Sequence, residues 1–340
     1  MLYFVSDYME GCHPSLLKLL EETNFNKTSG YGLDPYSERA RGKIQKECGT
    51  PDAKVYFMVG GTQTNETVIS SVLRPYEGIL AADTGHINTH EAGAIEHGGH
   101  KVLTLPGENG KISAEAVRRY MEFFFCDANH EHEVAPGMIY ISQPTEYGTI
   151  YSIEELEALR RAADDFGLKL FADGARLGYA MAADSSITLS RMARLSDVFT
   201  IGGTKVGALF GEAVVFPKGE LVPHFYTITK QHGAMLAKGW LLGLQFDGLF
   251  TDGLYVTIAD HAVRNARRIR EALIAKGYEL YIDSPTNQIF PVVSKQRAEE
   301  LKKEVEYGFM ETLSDGRLVI RFCTSWATQD SDTDALIAIL

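Results

Sequence analysis

The chain is short of cysteine and of positive charge. Only four of its 340 residues are cysteine, and Cys12, Cys48, Cys126 and Cys323 are scattered, with no C-x-x-C pair. That spacing gives no zinc signature, no metal is expected, and so few thiols suit a reduced, cytoplasmic protein. Lysine and arginine total 33 against 45 aspartate and glutamate, a formal charge of −12. Without a long basic run, such an acidic chain argues against general nucleic-acid binding. No apolar run is long enough to cross a membrane. The start, Met1 to Asp7, lacks the basic region and long apolar core of a secretory signal. There is no G-x-x-x-x-G-K-[ST] loop and no dinucleotide fingerprint, which counts against a nucleotide-binding protein. Internal repeats and low-complexity tracts are also missing.

What is present is apolar residue in quantity, 45% of the chain, enough for a large core shared by two domains. Residues 1–50 read as an irregular arm with helical pieces. From residue 54 apolar runs recur at Val55–Val59, Ile79–Ala82, Val102–Leu105, Met138–Ile141, Leu168–Ala172, Val198–Ile201 and Ala213–Phe216. Helical segments lie between several of them; the clearest is Ile153 to Phe166, opened by a capping box of Ser152 and Glu155. This alternation predicts an α/β fold with a mainly parallel sheet covered on both faces. The last two runs are too close for a crossover helix, so they are expected to be antiparallel. The chain then turns helical, over Lys230 to Gly248 and again over Ala259 to Lys276. Arg264, Arg267, Arg268 and Arg270 of the second helix read as a solvated face. Short strands and helices follow, a small α+β domain. The expected division is an arm at 1–40, a large domain at 41–248 and a small one at 249–340. The last helix stops abruptly at Leu340, which predicts a slightly longer native chain.

Two strand ends carry chemistry. One reads Asp173-Gly174-Ala175-Arg176, the other Gly202-Gly203-Thr204-Lys205. Open α/β sheets bind ligands at the carboxyl ends of their strands, so Asp173 and Lys205 are expected to share one crevice. That pair is what pyridoxal phosphate requires: an amine for its aldehyde and a carboxylate to keep its ring nitrogen protonated. Glycines beside Lys205 predict a cofactor close to the backbone. Singly, Asp173 reads as a helix cap and Lys205 as a loop residue. After the first strand, Gly60-Gly61-Thr62 opens a helix, which suits an anion such as phosphate, although a tight turn without ligand gives the same pattern. His86 follows the second strand, where an imidazole could stack on a flat ring; the bland alternative is a hydrogen-bonded loop histidine. His86 and His90 have helical spacing, but Glu91 follows the second histidine, so this is not H-E-x-x-H.

Several of these residues, with others in the same order, resemble the threonine aldolase family, in the fold-type I group of pyridoxal phosphate enzymes. The matching stretches are Ser6-Asp7, Tyr31-Gly32-x-Asp34-Pro35, Gly61-Thr62-x-x-Asn65, His86-Ile87 with Glu91-Ala92-Gly93, Asp173-Gly174-Ala175-Arg176, Thr204-Lys205, and Arg321-Phe322 before Thr324-Ser325-Trp326. The resemblance covers nearly the whole chain. It implies a seven-stranded, transferase-like large domain and pyridoxal 5'-phosphate as cofactor. It further implies a homodimer or homotetramer with active sites at the subunit interface. By the same resemblance Lys205 would bond the cofactor, Asp173 would pair with the ring nitrogen, and His86 would stack on the ring. Gly61, Thr62 and Thr204 would hold the phosphate. Ser6, Arg176 and Arg321 would bind the amino acid carboxylate, with Arg176 also near the cofactor's phenolic oxygen. Tyr31 and Lys230 would reach a neighbouring subunit's site.

The implied reaction is cleavage of L-threonine, L-allo-threonine or related β-hydroxy-α-amino acids to glycine and an aldehyde. Two motifs depart from the family. The loop Ser142 to Gly148 lacks the histidine many members carry there, so the general base is open between His86, Glu146 through a water, and a water near the phosphate. Lys238-Gly239-Trp240-Leu241 replaces an arginine-rich motif. A β-eliminating lyase, a racemase or an aryl-serine aldolase would share the lysine, aspartate and arginine. A non-catalytic regulatory protein on the same fold is opposed by the intact Lys205, Asp173 and Arg321.

Overall fold

The computed structural model describes residues 1–219 and 221–340. The chain opens with a short strand, β1 (Leu2–Phe4), and two helices, Pro14–Thr23 and Pro35–Cys48. The second helix is well bounded. The Asp34 side chain accepts the Ser37 N–H at 2.8 Å, and the helix stops on Gly49, whose φ of 67° needs no side chain.

Seven strands then form the central sheet: β2 (Lys54–Met58), β3 (Glu77–Ala82), β4 (Val102–Leu105), β5 (Ala135–Ser142), β6 (Lys169–Asp173), β7 (Val198–Gly202) and β8 (Glu212–Phe216). Their order is β2-β8-β7-β6-β5-β3-β4. All pairs are parallel except those of β8, which runs antiparallel to β2 and β7. All seven expected runs are strands, and the close pair is antiparallel as its short connection requires. Side chains alternate between two buried faces. Ile139 and Ile141 of β5 enter one core with Leu170 and Ala172 of β6; Met138, Tyr140 and Phe171 enter the other. A strand covered on both sides has no polar face, hence the unbroken apolar runs. Helix Ile153–Phe166 carries the capping box: Ser152 Oγ accepts the Glu155 N–H at 3.2 Å, and Glu155 accepts the Ser152 N–H at 2.7 Å.

The helical expectation for Lys230 to Gly248 resolves into two pieces, Phe225–Gln231 and Trp240–Leu249, parted by a turn at Gly233 (φ 67°). The next helix, Leu254–Ala275, starts earlier than Ala259. Tyr255, Ile258 and Ala262 pack into the main core, while Ala266, Ile269 and Leu273 pack into a separate one. One helix thus ties the central sheet to the C-terminal layer. Its Arg268 pairs with Asp330 and Asp334, and its Arg270 with Asp283, at the solvated rim.

The second sheet comprises β9 (Glu279–Leu280), β10 (Gln288–Ile289), β11 (Pro291–Val293), β12 (Val305–Thr312) and β13 (Leu318–Cys323), with β1 on its edge, parallel to β12. Sequence reading placed no strand in residues 1–50, because three residues are too few to show alternation. The consequence is functional: β1 anchors the first residues to the C-terminal layer and draws Val5 to Tyr8 across the crevice. Among the described residues no helix is long and apolar enough to cross a membrane.

Candidate active site

The carboxyl ends of β6 and β7 are locked together. A Cβ on Gly174 would lie 2.0 Å from the Thr200 carbonyl oxygen, and one on Gly202 would lie 2.2 Å from that of Ala175. The Gly202 N–H donates to the Gly174 carbonyl at 2.9 Å, and the Gly174 N–H to Thr200 Oγ1 at 2.7 Å. Gly174 and Gly202 therefore allow backbone to pack directly against backbone at these strand ends. The packing sets Asp173 and Arg176 beside Lys205 around a cavity of about 640 Å³. His86, His90, Gly61, Thr62, Thr204, Glu146, Glu212 and Arg321 line the same cavity.

Asp173 is buried at the end of β6, on the face of the sheet that Tyr140 shares. Its Oδ2 accepts the Tyr140 hydroxyl at 2.7 Å and the Asn65 amide at 2.9 Å; its Oδ1 accepts the Ala175 N–H at 2.9 Å. Burial opposes ionisation, but the His86 charge and these three donors outweigh it and hold the carboxyl below its usual range. The same Asn65 amide donates to Glu91 Oε1 at 2.7 Å, and that oxygen meets His86 Nδ1 at 2.8 Å. A chain of polar contacts thus runs from Asp173 through Asn65 and Glu91 to His86. Burial alone would lower the basicity of His86; the Glu91 hydrogen bond and the Asp173 and Glu91 charges raise it.

Lys205 follows β7 in a buried setting. Burial first, and then the Arg176 guanidinium, hold its amine below the usual lysine range, against the pull of Asp7, Glu212 and Asp173. A neutral amine is the form that attacks an aldehyde. Arg176 is fixed by Asp7: Nε donates to Asp7 Oδ2 at 2.6 Å and Nη2 to Oδ1 at 2.9 Å. Asp7 also accepts the Asn287 amide at 2.9 Å. Both fork contacts of Arg176 are therefore already made within the chain. Arg321 differs. Nη2 donates to the Val5 carbonyl at 2.9 Å and Nη1 to Gln288 at 3.1 Å, while its buried Nε has no partner.

The phosphate end fits as well. Helix Gly61–Val72 begins with no side-chain cap, and a Cβ on Gly60 or Gly61 would meet open space. Uncapped N–H groups facing a cavity suit an anion. Thr204 lines the same cavity, its Oγ1 accepting the Gly211 N–H at 2.9 Å. The donor set, the low-lying amine and the ionised Asp173 together fit pyridoxal phosphate.

Three expected residues lie off this cavity. Ser6 is buried between the anchors of the two arginines but does not line it. Tyr31 and Lys230 pair with one another elsewhere, the ammonium 4.6 Å from the ring centroid. Tyr31 is 43% exposed and has a φ of 59°. Sequence reading assigned no role to Asp7, Asn65, Tyr140, Glu91 or Glu212. Tyr140 sat in an apolar strand run and read as core; Asn65 and Glu91 were visible only as motif members.

Glu212 opens β8 opposite Gly202, and its buried Oε2 has no partner. Burial, and then the Asp173 charge, push its carboxyl far above the usual range, against the pull of Lys205. A raised folded value means that folding favours the protonated form. That contribution is full below the unfolded value, near pH 4.3, and is lost as pH rises toward the folded value. Glu212→Gln should therefore raise the melting temperature more at about pH 8 than at about pH 5. An equal gain at both values, measured by calorimetry, would show that Glu212 is ionised in the native protein.

A family model described as beta-eliminating lyase matches residues 4–295. The low specificity L-threonine aldolase of Pseudomonas sp. (strain NCIMB 10558) is 30% identical over 341 residues, covering 98% of this chain and 96% of that protein. The solved structure of a Leishmania major threonine aldolase is similar at a TM-score of 0.96 and 39% identity, covering 100% of this chain and 98% of that one. An aspartate aminotransferase from Thermus thermophilus is similar at a TM-score of 0.71 but only 17% identity, a likeness of fold alone.

Proposed function

The chain belongs to the beta-eliminating lyase family and groups with its threonine aldolases, and from that premise we propose that it cleaves L-threonine, L-allo-threonine or related β-hydroxy-α-amino acids to glycine and an aldehyde. The observation that carries this reading is the meeting of Lys205, Asp173, His86 and Arg321 at one cavity. When bound, pyridoxal phosphate supplies the aldehyde that captures the substrate's amino group and the ring that accepts electrons from the breaking bond. Lys205 offers the amine that holds the cofactor. Asp173, held ionised by the His86 charge and its three donors, would keep a proton on the ring nitrogen. His86, oriented by Glu91, would offer its flat face to the ring. The uncapped N–H groups at Gly61 and Thr62, with the Thr204 hydroxyl, would hold the phosphate.

Arg321 is the group that takes the substrate carboxylate, since it lines the cavity with its two Nη atoms making only single contacts to Val5 and Gln288, while the Nε–Nη2 fork of Arg176 closes on Asp7. Holding the carboxylate would orient the substrate in the cavity. Arg176, fixed by Asp7, would face the cofactor's phenolic oxygen, and Ser6 is buried next to Asp7 in the chain. Tyr31 and Lys230, placed away from their own cavity, reach a partner's site in a homodimer or homotetramer. All four cysteines are unpaired, which accords with a cytoplasmic setting. The arm, large domain and small domain at 1–40, 41–248 and 249–340 remain the working division, with β1 joining the arm to the small domain.

Product analysis with L-threonine tests the reading. Equal amounts of glycine and acetaldehyde are expected; a keto acid with ammonia would instead mark a β-eliminating enzyme. Arg321→Ala should raise KM by roughly 10- to 100-fold, the effect of removing a charge-assisted contact, with a smaller change in kcat. An unchanged KM would move carboxylate binding back to Arg176.

A further inference from the structure

The loop at 142–148 has no histidine, yet the cavity holds two, and the second comes from the same helical turn as the first. His86 and His90 bound the short helix His86–Thr89; their ring centroids are 5.7 Å apart with planes at 55°. Both line the cavity. They differ in how they are held. His86 is anchored through Nδ1 to Glu91. His90 is exposed, and its side chain makes no hydrogen bond among the described residues. We propose that His90 is the general base for this reaction, the group that takes the β-hydroxyl proton of the substrate. This assignment rests on the aldolase reading above.

Electrostatics supports the choice. Against the penalty of burial, the Glu91 acceptor and the Asp173 and Glu91 charges favour the protonated form of His86, whereas burial, and then the charges of His86, Arg321 and Lys205, favour the neutral form of His90. Two imidazoles side by side are thus driven apart, one toward the acid and one toward the base. A base must be deprotonated at the working pH, and His90 meets that condition. Glu146 is already engaged: its Oε1 accepts the Ser142 hydroxyl at 2.6 Å and the His86 backbone N–H at 3.0 Å, and burial raises its carboxyl above the usual range. Glu146 acts as a buttress for the His86 turn. The charged groups around His90 are His86 and Glu91 on its own turn, Arg321 from β13 and Lys205 after β7.

The proton balance is simple. As the Cα–Cβ bond breaks, its electron pair stays with Cα. The hydroxyl O–H pair becomes the second bond of the aldehyde carbonyl, and the proton passes to the free nitrogen of His90. A proton from solvent later completes glycine at Cα, and His90 returns its own proton to solvent.

The test separates this step from every other. The cofactor-loaded protein is compared with its His90→Phe and Glu146→Gln variants. Three readouts are taken: the change in cofactor absorbance on adding glycine, exchange of the glycine α-proton with deuterated water, and cleavage of L-threonine. The first two need no hydroxyl base. His90→Phe is expected to keep both while cleavage falls about a hundredfold, and added imidazole should restore part of the loss. Cleavage within about threefold of the parent would overturn the assignment, as would a glycine exchange rate that falls in step with cleavage. So would a loss confined to Glu146→Gln. A parent that ignores both glycine and threonine defeats the aldolase reading, and this one with it. A parent and a His90→Phe variant that both cleave threonine defeat this one alone.

Discussion

Lys205→Ala is expected to lower turnover by at least about 10⁴-fold, the scale on which removal of a covalent nucleophile acts. Gly174 and Gly202 permit a backbone contact that no side chain would tolerate, and this contact fixes Lys205 beside Arg176 and Asp173. In that buried position the amine is held below its usual range, which favours its nucleophilic neutral form. Hydride reduction of the cofactor-loaded protein, then digestion and mass spectrometry, should put the cofactor's mass on the peptide containing Lys205. In the alanine variant no peptide should carry it. The uncapped helix start at Gly61, Thr204 and the Asp173 carboxylate remain in that variant, so the cofactor should still bind, though without a covalent bond. Label on a different lysine, or undiminished turnover, would remove the central assumption about this site.

How far the sequence reached can be judged from where it stopped. The seven strands of the central sheet were legible because each is buried on both faces, so its apolar run is unbroken and bounded by turns. Lys205, Asp173 and His86 were legible for a related reason: each stands just past such a run, where a polar residue is conspicuous. What was missed has different causes. β1 is three residues long and owes its strand geometry to pairing with β12, a partner some three hundred positions away. Asp7 looked like part of an irregular arm, yet it is buried completely and holds Arg176 in a two-bond pair. Removing either partner of such a pair would leave a buried charge, at a cost of roughly 3–5 kcal/mol. No local pattern announces a pair made between residues so far apart. Tyr140 was hidden by its own strand: its ring belongs to the core, and only its hydroxyl, reaching Asp173, is functional. His90 was weighed only as a metal ligand, because spacing shows which residues share a turn and not what that turn faces.

Asp173→Asn should retain cofactor but lose about a thousandfold or more in cleavage, somewhat beyond the loss from deleting one preorganised hydrogen-bond donor. Asparagine keeps the shape and loses the charge. The charge is what holds a proton on the ring nitrogen, and without it the ring accepts electrons poorly. The substitution also disturbs the network. The Tyr140 hydroxyl and the Asn65 amide both donate to Asp173 Oδ2. An asparagine can present its oxygen to only one side, so either these two donors or the Ala175 N–H would face an NH₂ group. A buried donor left unmatched costs about 1–3 kcal/mol, so the variant should also melt earlier. The stability and activity effects can be separated with the second variant Tyr140→Phe, which removes one donor and leaves the carboxylate. It should lose stability while keeping most of its turnover, because Asn65 and Ala175 still hold the charge in place. If Tyr140→Phe and Asp173→Asn lose cleavage equally, the hydrogen bond and not the charge is what the reaction uses at this position.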